Sequence, residues 1–149
     1  MKKLFVTVAV ALFVGLTSFA ADIKKVNQKV LAAFEKEFTT ATNVSWEVLQ
    51  NEEIYHASFV YGAEVMEAYF SPEGETIAVA RFLSQDRLPL LVNKSLKDNF
   101  SKYQFRQATE YMSIDTTSYI VTLENEKQTL VARIYINGTT EIVKKTKKS

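Results

Sequence analysis

The spacing of apolar residues changes period along this chain, and later changes a second time in the same way. Ile23, Val26, Val30, Ala33, Phe34 and Phe38 recur in steps of three and four. That is one face of an amphipathic helix, roughly 23–38, with Asp22 placed to cap it. After 39–43 the period becomes two. Val44, Trp46 and Val48 alternate with Ser45 and Glu47, and Tyr55, Ala57 and Phe59 alternate with His56, Ser58 and Val60. Met66, Ala68 and Phe70 then alternate with Glu67 and Tyr69, and a fourth strand covers 76–82. Short segments at 51–53, 62–63 and 71–74 join these strands, as in an antiparallel meander.

The order then starts again. Pro89 suits the first turn of a helix, and Val92, Leu96 and Phe100 fall four apart on one face. Strands are expected near 105–113, 118–123, 130–136 and 140–144, with turns at 114–116 and 137–138. Val30, Phe34 and Phe38 stand 62 positions before Val92, Leu96 and Phe100. Tyr55, Ala57, Phe59 and Gly74 stand 64 before Tyr119, Val121, Leu123 and Gly138. The shared order predicts an α+β fold: a tandem repeat of two αβ4 units, about 22–83 and 86–146, in one antiparallel sheet with helices packed on one face. A unit of that size is marginal alone. Two of them sharing a sheet bury a continuous core, with Phe34, Phe38, Phe59 and Phe70 together in it and Trp46 on the same side.

The N-terminus reads as a Sec signal peptide. Lys2 and Lys3 precede an uncharged apolar run from Leu4 to Leu16, and Ser18 and Ala20 supply small residues before a cut. The run is short for a membrane span, which needs about 20 residues. Cleavage after Ala20 would leave 21–149 as a single domain in the periplasm or beyond, with no stable membrane insertion. The chain contains no cysteine, so disulfides, thiol nucleophiles and cysteine zinc sites are excluded.

Removing Lys2 and Lys3 leaves 16 Lys and Arg against 17 Asp and Glu. Such a balance gives no reason to expect nucleic acid. The distribution is uneven. No base lies between Lys36 and Arg81, where eight glutamates do; from Val92 onward, ten bases meet six acids. An acidic first half is a surface for a cationic peptide or an ion. The lysines from Lys144 to Lys148 read as a soluble tail.

Ala33, Phe34, Phe38, Ala41, Asn43, Val44 and Trp46, followed by Tyr55, Phe59, Ala68, Tyr69, Phe70 and Gly74, form a spaced pattern. It resembles the PepSY-like, β-lactamase-inhibitor-like family of exported bacterial proteins, and Leu88 and Pro89 before the second helix fit as well. The resemblance covers essentially the whole mature chain. A proline usually precedes the position of Ala41, where this chain has Thr39 and Thr40. The resemblance implies a small periplasmic αβ-repeat protein and no catalytic residues. The family's name reflects a fold, and fold does not give function.

Chemistry offers little else. His56 is the single histidine. It could pair with Glu67 as a base, but no G-x-S-x-G nucleophile accompanies it, and one histidine does not make a zinc site. Glu52 and Glu53, or Glu73 and Glu75, could meet calcium, yet they sit in turns without EF-hand spacing. No cofactor is expected. The helix-free face of the sheet is the remaining feature. Parity places Ser45, Glu47, His56, Glu67, Tyr69, Arg133 and Tyr135 on it. The expected function is non-enzymatic binding of an exported protein or peptide through that face, inhibitor-like, with Glu47, His56, Glu67, Tyr69, Arg133 and Tyr135 as the contact set and His56 at the surface. The alternative is a periplasmic sensor of a small ligand or cation using the acidic first half.

Overall fold

A computed structural model describes residues 26–49 and 54–148. The order is α1 (Gln28–Glu37), β1 (Thr42–Leu49), β2 (Ile54–Tyr61), β3 (Glu64–Phe70) and β4 (Thr76–Leu83), a single 3-10 turn (Gln85–Arg87), then α2 (Leu90–Phe100), β5 (Gln104–Ser113), β6 (Thr117–Glu124), β7 (Gln128–Tyr135) and β8 (Thr140–Lys147). The strands form one sheet in chain order, each antiparallel to its neighbours. The expected leader, its cleavage site and the turn at 51–53 lie outside the described residues.

Helix α1 is shorter than its apolar stripe suggested. Asn27 is the cap: its side-chain oxygen accepts from the N–H groups of Lys29 at 2.8 Å and Val30 at 3.2 Å. The Asn27 amide also donates to the Pro72 carbonyl at 2.5 Å, which ties the helix start to the β3–β4 turn. Helix α2 begins one residue after Pro89, which is the cap residue rather than part of the first turn. Its Ser95 hydroxyl donates to the Gly138 carbonyl at 2.7 Å, a matching tie to the β7–β8 turn.

Both helices pack on the same face of the sheet, each over its own strands. Val30, Phe34 and Phe38 meet Trp46, Tyr55, Ala57, Phe59, Ala68 and Phe70 in one cluster. The four phenylalanines expected in one core are there. Phe34 is its hub, with ring centroids 4.9 Å from Phe59, 5.2 Å from Trp46 and 5.3 Å from Phe38. Aromatic pairs of this kind add about 0.5–1.5 kcal/mol each beyond area burial. Val92, Leu96 and Phe100 form the second cluster with Tyr119, Val121, Leu123, Leu130, Ala132 and Ile134.

The edges are β1 and β8. Strand β1 carries an irregularity between Thr42 and Ser45, where Asn43 takes a φ of 53°. On β8 the lysines expected in a loose tail instead belong to the sheet: Lys144, Lys145 and Lys147 pair with Val131, Leu130 and Gln128. The Lys148 N–H donates to the Lys127 carbonyl at 2.9 Å, and its ammonium pairs with Glu124. Lysines on an edge discourage a further strand from adding there.

Candidate binding face

Direct cross-strand partners share a face, so the register defines the side without helices. One row runs Glu47, His56, Tyr69, Ala78 and Ser113. The next runs Ser45, Ser58, Glu67, Ala80, Tyr111, Ser118 and Tyr135. A third includes Phe82, Thr109, Ile120, Arg133 and Glu141. Every residue of the expected contact set is on this side.

The face is not uniformly open. Ala80 is fully buried, Thr109 is 1% exposed and Ile120 5%, although no described helix covers them. Small side chains here lie shaded between taller ones such as Tyr69, Tyr111 and Phe82. Ile54, Tyr69 and Ala80 make a minor apolar cluster, joined by Leu49, Ile77, Ala78 and Tyr111. At its margin Val65 and Phe82 expose much of their surface.

His56 departs from the expectation of a surface histidine. It is on the expected face, yet only 8% exposed. Its ring stacks on Tyr69, with centroids 4.7 Å apart and planes 18° from parallel. A carboxylate stands at each nitrogen: Glu47 lies 3.6 Å from Nδ1 and Glu67 lies 3.7 Å from Nε2. Parity alone could not reveal this cover, which comes from the neighbouring strands. Tyr69 is itself 2% exposed and its hydroxyl donates to Glu67 at 2.8 Å. Burial opposes the charge on Glu67, but His56 and Tyr69 outweigh it and hold this carboxyl below the usual carboxylate range. Burial, reinforced by the Glu67 charge, pushes the Tyr69 phenol well above its ordinary value. Tyr111, whose ring centroid is 6.3 Å from that of Tyr69, is pushed up by burial as well.

Arg133 and Tyr135 are not part of this group. They stand on β7, four strands from β3, about 19 Å at normal strand spacing. There they share Glu141, at 3.5 Å from Arg133 and 3.4 Å from the Tyr135 hydroxyl. The expected set therefore divides into Glu47, His56, Glu67 and Tyr69 on one side, and Arg133 and Tyr135 on the other.

A second polar group lies on the helix side and was not anticipated. Arg81 donates to Glu110 at 2.5 Å and reaches Glu64 at 3.7 Å, which also holds Arg87 at 2.6 Å. The Tyr119 hydroxyl donates to Glu110 at 2.9 Å. Burial and then Glu110 push the Tyr119 phenol up to about 12, while Arg87, acting against a smaller burial effect, holds Glu64 low. Arg81 and Glu110 occupy strand positions whose neighbours on the same face are apolar. A charge at core parity was the signal available. This group joins β4 to β5, at the boundary between the two helix-covered clusters.

Among the described residues, no group of three or more acidic or histidine side chains is placed to hold a metal ion. No described helix is long and apolar enough to cross a membrane.

No family model matches the sequence, and no curated protein does. Solved structures from Bacteroides do resemble it. A protein of Bacteroides eggerthii provisionally described as periplasmic is 17% identical, with a TM-score of 0.70 over 82% of this chain and 88% of that one. A DUF2874 family protein of Bacteroides uniformis is 18% identical, with a TM-score of 0.69 over 81% and 88%. A BLIP-like protein of Bacteroides fragilis is 18% identical, with a TM-score of 0.65 over 81% and 85%. At such identities the likeness is one of fold: the eight strands and two helices among the described residues are arranged as in these structures, a BLIP-like protein among them.

Proposed function

We propose that this chain is an exported, non-enzymatic binding protein that uses the helix-free face of its sheet to hold another protein or peptide, as an inhibitor does. The observation that carries the reading is the composition of that face. Exposed Val65 and Phe82 border the row that holds Glu67, Tyr111 and Tyr135, with the charged groups Glu47, Arg133 and Glu141 nearby on the same face. Apolar and aromatic surface ringed by charge is the usual anatomy of a protein interface. Among the described residues no serine or threonine hydroxyl is hydrogen-bonded to His56, and its nitrogens face carboxylates instead.

The order of one helix and four strands, given twice, supports a tandem αβ4 repeat of PepSY-like type, and so does the matched helix-to-turn tie in each half. Residues 1–20 are read as the leader, which puts the mature chain in the periplasm; N-terminal sequencing of exported material should begin at Ala21.

The binding reading is tested by capturing partners from periplasmic extract with the wild-type chain, Val65→Glu and Tyr135→Ala. A true partner is retained by the wild type and lost with at least one face variant that keeps its fold. Equal capture by all three would sink the proposal.

A further inference from the structure

The environment of His56 is electrostatically incomplete when the ring is neutral. A neutral imidazole has one N–H and one lone pair, but here both nitrogens face carboxylates. Whichever nitrogen lacks the proton turns its lone pair toward a negative oxygen. The side chain is nine-tenths buried, and Nε2, directed at Glu67, has no hydrogen-bond partner. Glu47, by contrast, is more than half exposed. No lysine or arginine lies between Lys36 and Arg81 in sequence, and among the described residues neither Glu47 nor Glu67 is paired with one. The groups facing the ring are Glu47 from β1 and Glu67 and Tyr69 from β3. This corner of the face therefore has two carboxylates and one site where a positive charge is missing. Apolar Val65 and Phe82 lie one row beyond Glu67 on the same face.

Resting on the binding reading above, we infer that the partner is a protein that presents a lysine or arginine beside apolar side chains. Its cationic head docks against Glu47 and Glu67 while His56 is neutral, and a proton on His56 competes with it. The two cations are alternatives because each supplies the charge that the carboxylates lack. Uptake of a proton by the ring would therefore release the partner.

The probe is acetyl-Leu-Lys-Leu-Lys-amide, with its glutamine counterpart as control. Binding is followed at millimolar concentration by NMR of the single imidazole and of Tyr69, between about pH 8 and 5. The lysine peptide should shift both signals and bind about tenfold more tightly than the glutamine peptide at the alkaline end, a difference of about 1.4 kcal/mol. Its affinity should fall on acidification. Glu47→Gln, an exposed change that leaves the fold intact, should weaken it severalfold. His56→Gln should still bind the peptide but without the histidine-linked loss in acid. The inference is overturned by no shift at either signal, by equal binding of the two peptides, by affinity that rises in acid, or by an unaltered pH profile in His56→Gln. Any of these, together with partner capture that still depends on Val65 or Tyr135, would remove the cationic partner and leave the binding face standing.

Discussion

Gly74 stands so close to Lys29 that a β-carbon built on it would lie 2.8 Å from the Lys29 carbonyl oxygen. Its φ is +86°, a region L side chains rarely adopt. Gly138 has a φ of +89° and faces the Leu91 carbonyl in the same way, but at 3.4 Å. Each helix rests on the turn that closes its own half. Both glycines should resist substitution, and unequally. Gly138→Ala should cost about 1–2 kcal/mol from backbone strain, and Gly74→Ala more, because a helix backbone must also move. Urea midpoints measure both; an equal or larger loss for Gly138→Ala would contradict the closer approach at Gly74.

Removing one member of the Arg81–Glu110 pair should hurt more than removing both. Glu110 is 8% exposed, and without Arg81 its charge keeps only the Tyr119 hydroxyl. Arg81→Met alone should cost on the order of 1–3 kcal/mol, moderated by the partial exposure of Arg81. Adding Glu110→Leu should recover part of that loss. The four chemical denaturation curves of this double-mutant cycle decide it, and a double variant weaker than Arg81→Met would refute the account.

Stability should depend on pH through two groups of opposite sign. The folded value of Glu67 is depressed from 4.5. Its contribution is present above about pH 4.5 and is lost as pH falls through the folded value. Tyr69, Tyr111 and Tyr119 are raised from 10.0. Their contribution is complete below about pH 10 and is lost as pH rises beyond it. Glu67→Gln should flatten the acid limb. Tyrosinate absorbance should show three of the seven tyrosines ionising late. Early ionisation of all seven would contradict the environment described for Tyr69.

His56→Ala should not be silent. The substitution removes a buried ring stacked on Tyr69 and leaves Glu67 without one of the groups that favour its charge. A loss of about 1–2 kcal/mol is expected, larger than the roughly 0.5 kcal/mol of an ordinary surface change. A denaturation midpoint equal to that of the wild type would mean the stack contributes nothing.

What could be read in the sequence was parity. The sides taken by Phe59, Trp46, Val121 and His56 all follow from a period of two, and the two helices follow from steps of three and four. Burial on the helix-free face could not be read this way. It depends on which residue stands opposite: Tyr69 lies across from His56 because β2 and β3 pair in that register, and a register is a relation between strands. The division of the contact set had the same origin, since β3 and β7 carry similar residues and differ in sheet position. Arg81 and Glu110 broke the apolar pattern of their strands. That break was legible as an exception, but its partner across β4 and β5 was not.

The strand order has a consequence for how the chain reaches this structure. Every ladder joins strands that are consecutive in sequence. Among the described residues, the junctions from β2 to β4 and from β5 to β8 are short hairpins, whereas β4 to β5 must wait for a helix between them. Closing a short loop costs little chain entropy, and the cost grows only slowly with length. Such a sheet can grow outward by adding one hairpin at a time, without first capturing a distant strand. Contacts so local favour fast folding for a protein that is mostly β. The β4–β5 ladder is the step that carries the greatest loop-closure cost.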